Sequence, residues 1–242
     1  MKCFGATDTG LVRANNQDSY VIASNEVGDV FALVCDGIGG GNSGDVASQT
    51  AIQYFSEVFS ANKGFKDEEE ALTWLRYQIR KANDTVFTLS TTRREYQGMG
   101  TTLVGVLLIP QGSYVINVGD SRAYHFSSHG VDLITRDHSI VAFMVERGEL
   151  TQEQAKNHPG KNVITRAVGT EEEVEGDLYH LTVRRDDCLL LCSDGLSNEM
   201  ADQEMLFEVA HGVRRSDCCR RLLNIAKNRG APDNVTVVLA QC

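Results

Sequence analysis

The chain has 242 residues with 33 acidic and 23 basic side chains, a net charge of −10; this length fits one large domain or two small ones, with a core that needs no covalent staples. The acidic balance argues against nucleic acid or an anionic membrane as partner, and against a phosphorylated substrate unless bound cations reverse the local field. No run of 18 apolar residues is present, Met1-Lys2-Cys3-Phe4-Gly5 has no apolar block of the signal-peptide kind, and the seven cysteines are scattered without a C-x-x-C pair, so reduced thiols in a cytoplasmic protein are expected.

Residues 4–9 and 19–24 read as weak strands around a polar turn, Arg13 to Asp18. The default for such a turn is a surface loop, but an Arg and an Asp beside a strand can serve a phosphate and a metal. The apolar run Phe31-Ala32-Leu33-Val34-Cys35 has the composition of a buried strand; it ends on Asp36 and enters a glycine-rich turn, Gly37 to Gly44. Two chemistries fit this turn. Gly39-x-Gly41-x-x-Gly44 matches a dinucleotide fingerprint, but that motif needs a second strand soon after its helix, and Glu57, where the ribose-binding acid should fall, lies in a helical pattern. The alternative is an acidic metal site, which needs partner carboxylates.

Val46, Ala47, Ala51, Ile52, Phe55, Val58 and Phe59 repeat at helical spacing, and Asp67-Glu68-Glu69-Glu70 opens a second amphipathic helix with a capping box. Thr101–Ile109 and Ser113–Val118 read as a hairpin around Pro110-Gln111-Gly112, and a further strand, Ala123–Phe126, follows Gly119-Asp120-Ser121-Arg122. Residues 137–168 are more polar, with short helices at Ile140–Arg147 and after Thr151, and read as an excursion that Val163-Ile164-Thr165-Arg166 brings back to the sheet. Within Asp187 to Gly195, the continuous apolar run Cys188 to Cys192 reads as a central strand buried on both faces and ends in Ser193-Asp194-Gly195. Asp202 and Ser216 start two more helices, and Asp233 precedes the last strand, Thr236–Ala240. Strands and helix pairs in blocks indicate an α+β fold of antiparallel sheets with helices on their outer faces.

Asp18, Asp36, Asp120, Asp194 and Asp233 thus all sit at strand ends or turns. Each alone is an ordinary turn aspartate. Together at one end of a sheet they would repel one another without cations, and an all-oxygen cluster suits Mg²⁺ or Mn²⁺. Two metals on aspartates fit in-line attack on phosphorus by a bridging hydroxide. Arg13 can grip a phosphate in two places; its plain alternative is a surface ion pair.

At this point the chain resembles the metal-dependent protein Ser/Thr phosphatases of the 2C type, in particular bacterial stand-alone members. The resemblance is carried by Arg13-x-x-Asn16-Gln17-Asp18, Asp36-Gly37-x-Gly39-Gly40, Gly100-Thr101-Thr102, Asn117 to Arg122, Asp137-His138-Ser139, Ser193-Asp194-Gly195 and Asp233-Asn234-Val235, in the family's order and across essentially the whole chain. It implies a single catalytic domain over 1–242, built as a four-layer α-β-β-α sandwich: two antiparallel sheets flanked by helix pairs. It makes Asp36 the bridging ligand of two metals, with the Gly37 carbonyl on the second, Asp194 and Asp233 on the first, Asp18 acting through metal-bound water, and Asp120 with Asp194 at an extra, weaker third site. Arg13 would hold the substrate phosphate, and residues 137–166 would form the family's flap. Phosphorylated proteins are the implied partners and a bacterial Ser/Thr kinase the activity opposed, with a monomer expected. One departure stands out: some members carry a His where this chain has Ile38, so no general acid is supplied there. Metal-bound water is the expected proton donor, with His138 and His158 as rivals. A non-catalytic module that docks phosphoproteins is the alternative of a different class; the intact set of ligand positions speaks against it.

Overall fold

The computed structural model describes residues 2–39, 43–212 and 214–242. In chain order the elements are β1 (Lys2–Asp8), β2 (Asp18–Ser24), β3 (Val30–Ile38), α1 (Gly44–Ser60), α2 (Glu68–Thr92), β4 (Gly100–Thr101), β5 (Leu103–Ile109), β6 (Gly112–Val118), β7 (Arg122–Ser127), β8 (Gly130–Leu133), α3 (Ile140–Glu146), α4 (Gln152–Lys156), β9 (Asp177–Leu181), β10 (Cys188–Cys192), α5 (Asp194–Ser197), α6 (Asp202–His211), α7 (Cys218–Asn228) and β11 (Val235–Gln241). One sheet runs β1-β11-β10-β7-β8 and the other β2-β3-β5-β6-β9, with β4 on the end of β3, and all the pairings are antiparallel.

Period-two alternation builds the layers. On β3, Phe31, Leu33 and Cys35 face one core with Ala47, Phe55, Phe59, Leu75 and Ile79 of α1 and α2. Ala32 and Val34 face the opposite way, against Leu189, Leu191 and Val238 of the other sheet. Leu190, Val237 and Leu239 in turn pack under Met205, Leu222 and Leu223 of α6 and α7. The expected four-layer sandwich is the observed one. Trp74 is packing, as its helical position suggests: its ring meets Phe31, Phe59 and Phe65 edge-on, at centroid distances of 6.3, 6.0 and 5.5 Å. Truncating a buried ring such as Phe31 to Ala costs about 3–5 kcal/mol.

Several local expectations are corrected. The hairpin loop is two residues, Pro110-Gln111, because Ile109 pairs with Gly112. The strand read as Thr101–Ile109 breaks at Thr102, whose hydroxyl rather than its carbonyl accepts the Asp36 N–H. Glu70 accepts from Lys66 N instead of closing a box on Asp67, although Asp67 does cap α2 through Glu70 N. Ala201, not Asp202, is the cap residue of α6, and Glu204 takes its N–H at 2.9 Å. Ser216 lies in a 3-10 turn ahead of α7. Val163–Arg166 joins neither sheet: Ile164 bridges only to Ser139. Strands β8 and β9 and the short helix α5 are additional to the sequence reading. All seven cysteines are free thiols.

Candidate metal centre

The alternation that fills the space between the sheets also aims polar side chains into one end of it. Asp36 shares the parity of Ala32 and Val34, Thr102 that of Val104, Ser193 that of Leu191, and Asn234 that of Val238. Asp18 and Asp36 are direct partners in the β2–β3 ladder, and directly paired strand residues hold their Cβ atoms about 5 Å apart. Asp36 is fixed on its other side by Thr102: its N–H donates to Thr102 Oγ1 (2.9 Å), its carbonyl accepts from Thr102 N (2.8 Å), and Thr102 Oγ1 lies 2.7 Å from Ser121 Oγ. The turn that carries Asp120 is thereby tied to the Asp36 strand.

Asp194 is the first residue of α5, and Asn198 Nδ2 donates to its Oδ2 at 3.1 Å. Asp233 receives Arg13 Nη2 on Oδ2 (2.7 Å) and Asn234 N on Oδ1 (2.8 Å). The plain alternative for Arg13, an ion pair, is therefore what the structure holds. Its side chain remains 53% exposed, so the pair contributes at most about 1 kcal/mol. Buried Asn234 organises the whole Arg13 loop. Its Oδ1 accepts from Gln17 N (2.8 Å), and its Nδ2 donates to Thr9 O (2.9 Å) and Asn15 O (3.0 Å). Sequence reasoning included Asn234 in a motif but gave it no role; an Asn next to a candidate ligand Asp at a strand start was the available signal.

Gly37 owes its identity to backbone crowding. Its N–H donates to Gln17 O at 3.1 Å. Any Cβ there would run into the Gly44 carbonyl and come within 2.7 Å of Gln17 O. The start of α1 is thus pressed onto the strand that carries Asp36. Gly40, Gly41 and Asn42 of the glycine-rich turn lie outside the described residues. After α1 the chain enters α2 rather than a strand, so the dinucleotide fingerprint lacks its required context.

The carboxylates are electrostatically costly where they stand. Burial, opposed by the Ser193 hydroxyl bond and reinforced by Asp194 and Asp233, pushes the Asp18 carboxyl up to about 7. Its Oδ2 accepts from Ser193 Oγ at 2.7 Å, while its Oδ1 is buried with no partner. Burial first, and then repulsion from Asp18, Asp194, Asp120 and Asp233, drives Asp36 well above the carboxylate range. Asp120 is pushed up to about 7 by burial, Asp194 and Asp137. Asp194 is raised by burial and Asp233, against the hydrogen bonds from Asn198 and with Asp36. Among the described residues, no three acidic, His or Cys side chains close around a single point as a finished ion cage. The hydrogen bonds explain this: Asp18 leans to Ser193, Asp194 to Asn198 and Asp233 to Arg13. The donor chemistry nonetheless fits a hard divalent cation, because buried carboxylates and an orphaned oxygen are what such an ion neutralises.

The two rival histidines have other employment. Buried His138 accepts Gly119 N on Nδ1 (3.0 Å), and its Nε2 lies 3.2 Å from Asp177 Oδ2. Burial lowers its basicity, so it is neutral near pH 7. His158 Nδ1 accepts the N–H of nearby Gly160. Two cavities, of about 570 and 490 Å³, lie outside the aspartate cluster, one on the α6–α7 face and one beside the end of α2.

Comparison with known proteins agrees with this frame. Residues 12–236 match the family model described as protein phosphatase 2C. The serine/threonine phosphatase stp of Listeria monocytogenes is 35% identical over 235 residues, 97% of this chain and 93% of that protein. Protein phosphatase PhpP of Streptococcus pneumoniae is 32% identical over 233 residues, 96% of this chain and 94% of that one. The crystal structure of Stp1 from Staphylococcus aureus superposes with a TM-score of 0.93 at 35% identity, covering 100% of this chain and 94% of that one. That of the Mycobacterium tuberculosis phosphatase PstP/Ppp superposes with a TM-score of 0.88 at 33% identity, covering 99% and 97%. With its sandwich of two sheets and its aspartate-lined end, this chain belongs to the protein phosphatase 2C family of metal-dependent serine/threonine phosphatases.

Proposed function

We propose that the chain, a single catalytic domain over 1–242, hydrolyses phosphoserine and phosphothreonine esters of cytoplasmic proteins, as a monomer that opposes a Ser/Thr kinase. The observation that carries the site assignment is the Asp18–Asp36 pair at the mouth between the sheets, with a buried Asp18 oxygen that lacks a partner. Asp18, Asp36, the Gly37 carbonyl, Asp194 and Asp233 would hold two Mn²⁺ or Mg²⁺ ions, and Asp120 with Asp194 a third. When bound, such ions supply a nucleophile at neutral pH and neutralise phosphoryl charge. The chain's own part is to position. Thr102 and Ser121 fix the Asp36 and Asp120 backbones, and Asn234 holds the loop that presents Arg13. Because the Arg13–Asp233 pair is exposed and weak, a phosphate oxyanion can compete for the guanidinium. No side chain at Ile38 can protonate the serine leaving group, and residues 137–166 would act as a flap over the substrate.

The test is phosphate release from a phosphothreonine peptide with Mn²⁺, with Mg²⁺ and with EDTA. Activity is expected with either ion, none in EDTA, and none for Asp36→Asn or Asp194→Asn. Turnover that persists in metal-free buffer would overturn the mechanism.

A further inference from the structure

The cavity of about 490 Å³ at the end of α2 is lined by residues that include Ser90, Thr92, Arg93, Arg94, Gln97 and Thr170. Its size is that of a ligand pocket. Its hydroxyl protons are already committed to backbone carbonyls. Ser90 Oγ lies 3.0 Å from Phe87 O and 3.1 Å from Gly169 O, Thr92 Oγ1 2.5 Å from Thr88 O, and Thr170 Oγ1 3.0 Å from Ala167 O. The donors left at the rim are the guanidinium groups of Arg93 and Arg94 and the Gln97 amide. Arg93 lies over the Tyr96 ring at 5.7 Å. Among the described residues, neither arginine has a carboxylate within ion-pair distance. In a chain of net charge −10 these are two uncompensated cations at one opening.

Strand β4 links the cavity to the strand that carries Asp36. It pairs Gly100 with Ile38 and Thr101 with Gly37, and Thr170, on the cavity wall, has its methyl 2.6 Å from where a Gly100 Cβ would sit. Gly98, on the rim, is four residues from Thr102, which binds Asp36. Four residues span no more than about 14 Å.

We propose that this cavity is a substrate subsite that takes the carboxylate of an Asp or Glu lying three to five residues from the phosphorylated side chain. The inference rests on the phosphatase reading above. A planar guanidinium pairs with a carboxylate through two parallel N–H donors. Elsewhere the acidic surface repels such a peptide, so the two arginines set the register in which an acidic substrate is accepted.

The experiment compares phosphothreonine peptides that carry Glu or Gln four residues to either side of the phosphorylated residue, with p-nitrophenyl phosphate as a substrate too small to reach the cavity. A Glu on the matching side is expected to lower KM about two- to fivefold. The preference should shrink as ionic strength rises from about 0.05 to 0.5 M. The double variant Arg93→Gln/Arg94→Gln should erase it and leave p-nitrophenyl phosphate turnover unchanged; both side chains are exposed, so the fold is not at stake. Charge reversal by Arg94→Glu should make Lys the preferred residue at that position. A wild-type enzyme indifferent to Glu, or a preference that survives the double variant, overturns the subsite. Hydrolysis of no substrate at all would sink the phosphatase reading and the subsite with it.

Discussion

Asn234 offers a sharp test of how the centre is held together. Its side chain makes no hydrogen bond to a proposed metal ligand, yet three backbone groups of residues 9–17 depend on its amide. In Asn234→Ala these three bonds go at once. Each is worth about 1 kcal/mol net, so a loss of about 3 kcal/mol follows. For a chain of this size that corresponds to about 6–12 °C in Tm. The loop that carries Arg13 also loses its register against β11. KM for a phosphopeptide should therefore rise by more than stability loss explains, measured well below the melting temperature. The isosteric Asn234→Asp separates packing from hydrogen bonding. It keeps the shape and the acceptor for Gln17 N, but it turns a carboxylate oxygen toward Thr9 O and Asn15 O and adds charge to an acidic cluster. It should be at least as damaging as Ala. Urea unfolding and steady-state kinetics read both effects. If Asn234→Asp matched the wild type in Tm and KM, the Asn234 amide would not be what anchors the loop.

Three further outcomes are expected. Asp18 and Asp120 titrate near 7 in the folded chain and Asp36 well above the unfolded carboxylate value. Their protonated forms therefore favour the fold, and that stabilisation is complete below about pH 4 and fades as pH rises toward 7. In EDTA, Tm should fall over this window, and Mn²⁺ should flatten the fall; a metal-free Tm that climbs from pH 4 to 7 would contradict the electrostatics. Gly37→Ala should destabilise by several kcal/mol even with metal present, since its Cβ meets backbone and not a movable side chain; calorimetry checks this. If no protein acid protonates the leaving group, His138→Ala and His158→Ala should reduce turnover of a phosphoserine peptide and of a low-pKa aryl phosphate by similar small factors. A thousandfold loss on the peptide alone would identify a histidine acid.

The central strands could be read from sequence because they carry their own signal. Phe31–Cys35 and Cys188–Cys192 are buried on both faces, so their apolar runs are continuous and the aspartates that end them stand out. Strands β8 and β9 lie at the sheet edges, pair on one side only, and read Gly-Val-Asp-Leu and Asp-Leu-Tyr-His-Leu, with no run to notice. Strand β8 is only the short return arm of a hairpin with β7, and β9 depends on β6, some sixty residues earlier in the chain. Helix α5 is four residues long, too short for any periodicity. Among the site residues, Asp18 and Asp36 were visible as strand-end acids, but their direct pairing is a matter of register, which period two alone leaves undetermined. The Arg13–Asp233 contact joins residues 220 positions apart and had only the generic prior of an ion pair.

The acidic cluster draws its members from both halves of the sandwich. Asp18 and Asp36 ride on one sheet, Asp194 follows β10 and Asp233 precedes β11 of the other, and Asp120 sits where the chain crosses from β6 to β7. A cation held there would act as a clasp at the open end of two facing plates, whose opposite end is linked by the chain crossing from β9 to β10. Sliding one plate by a single residue would scatter the carboxylates, so metal affinity becomes a gauge of inter-sheet alignment. Core substitutions far from the cluster, at Val106 or Leu189 for instance, would then report at a distance as weaker ion binding.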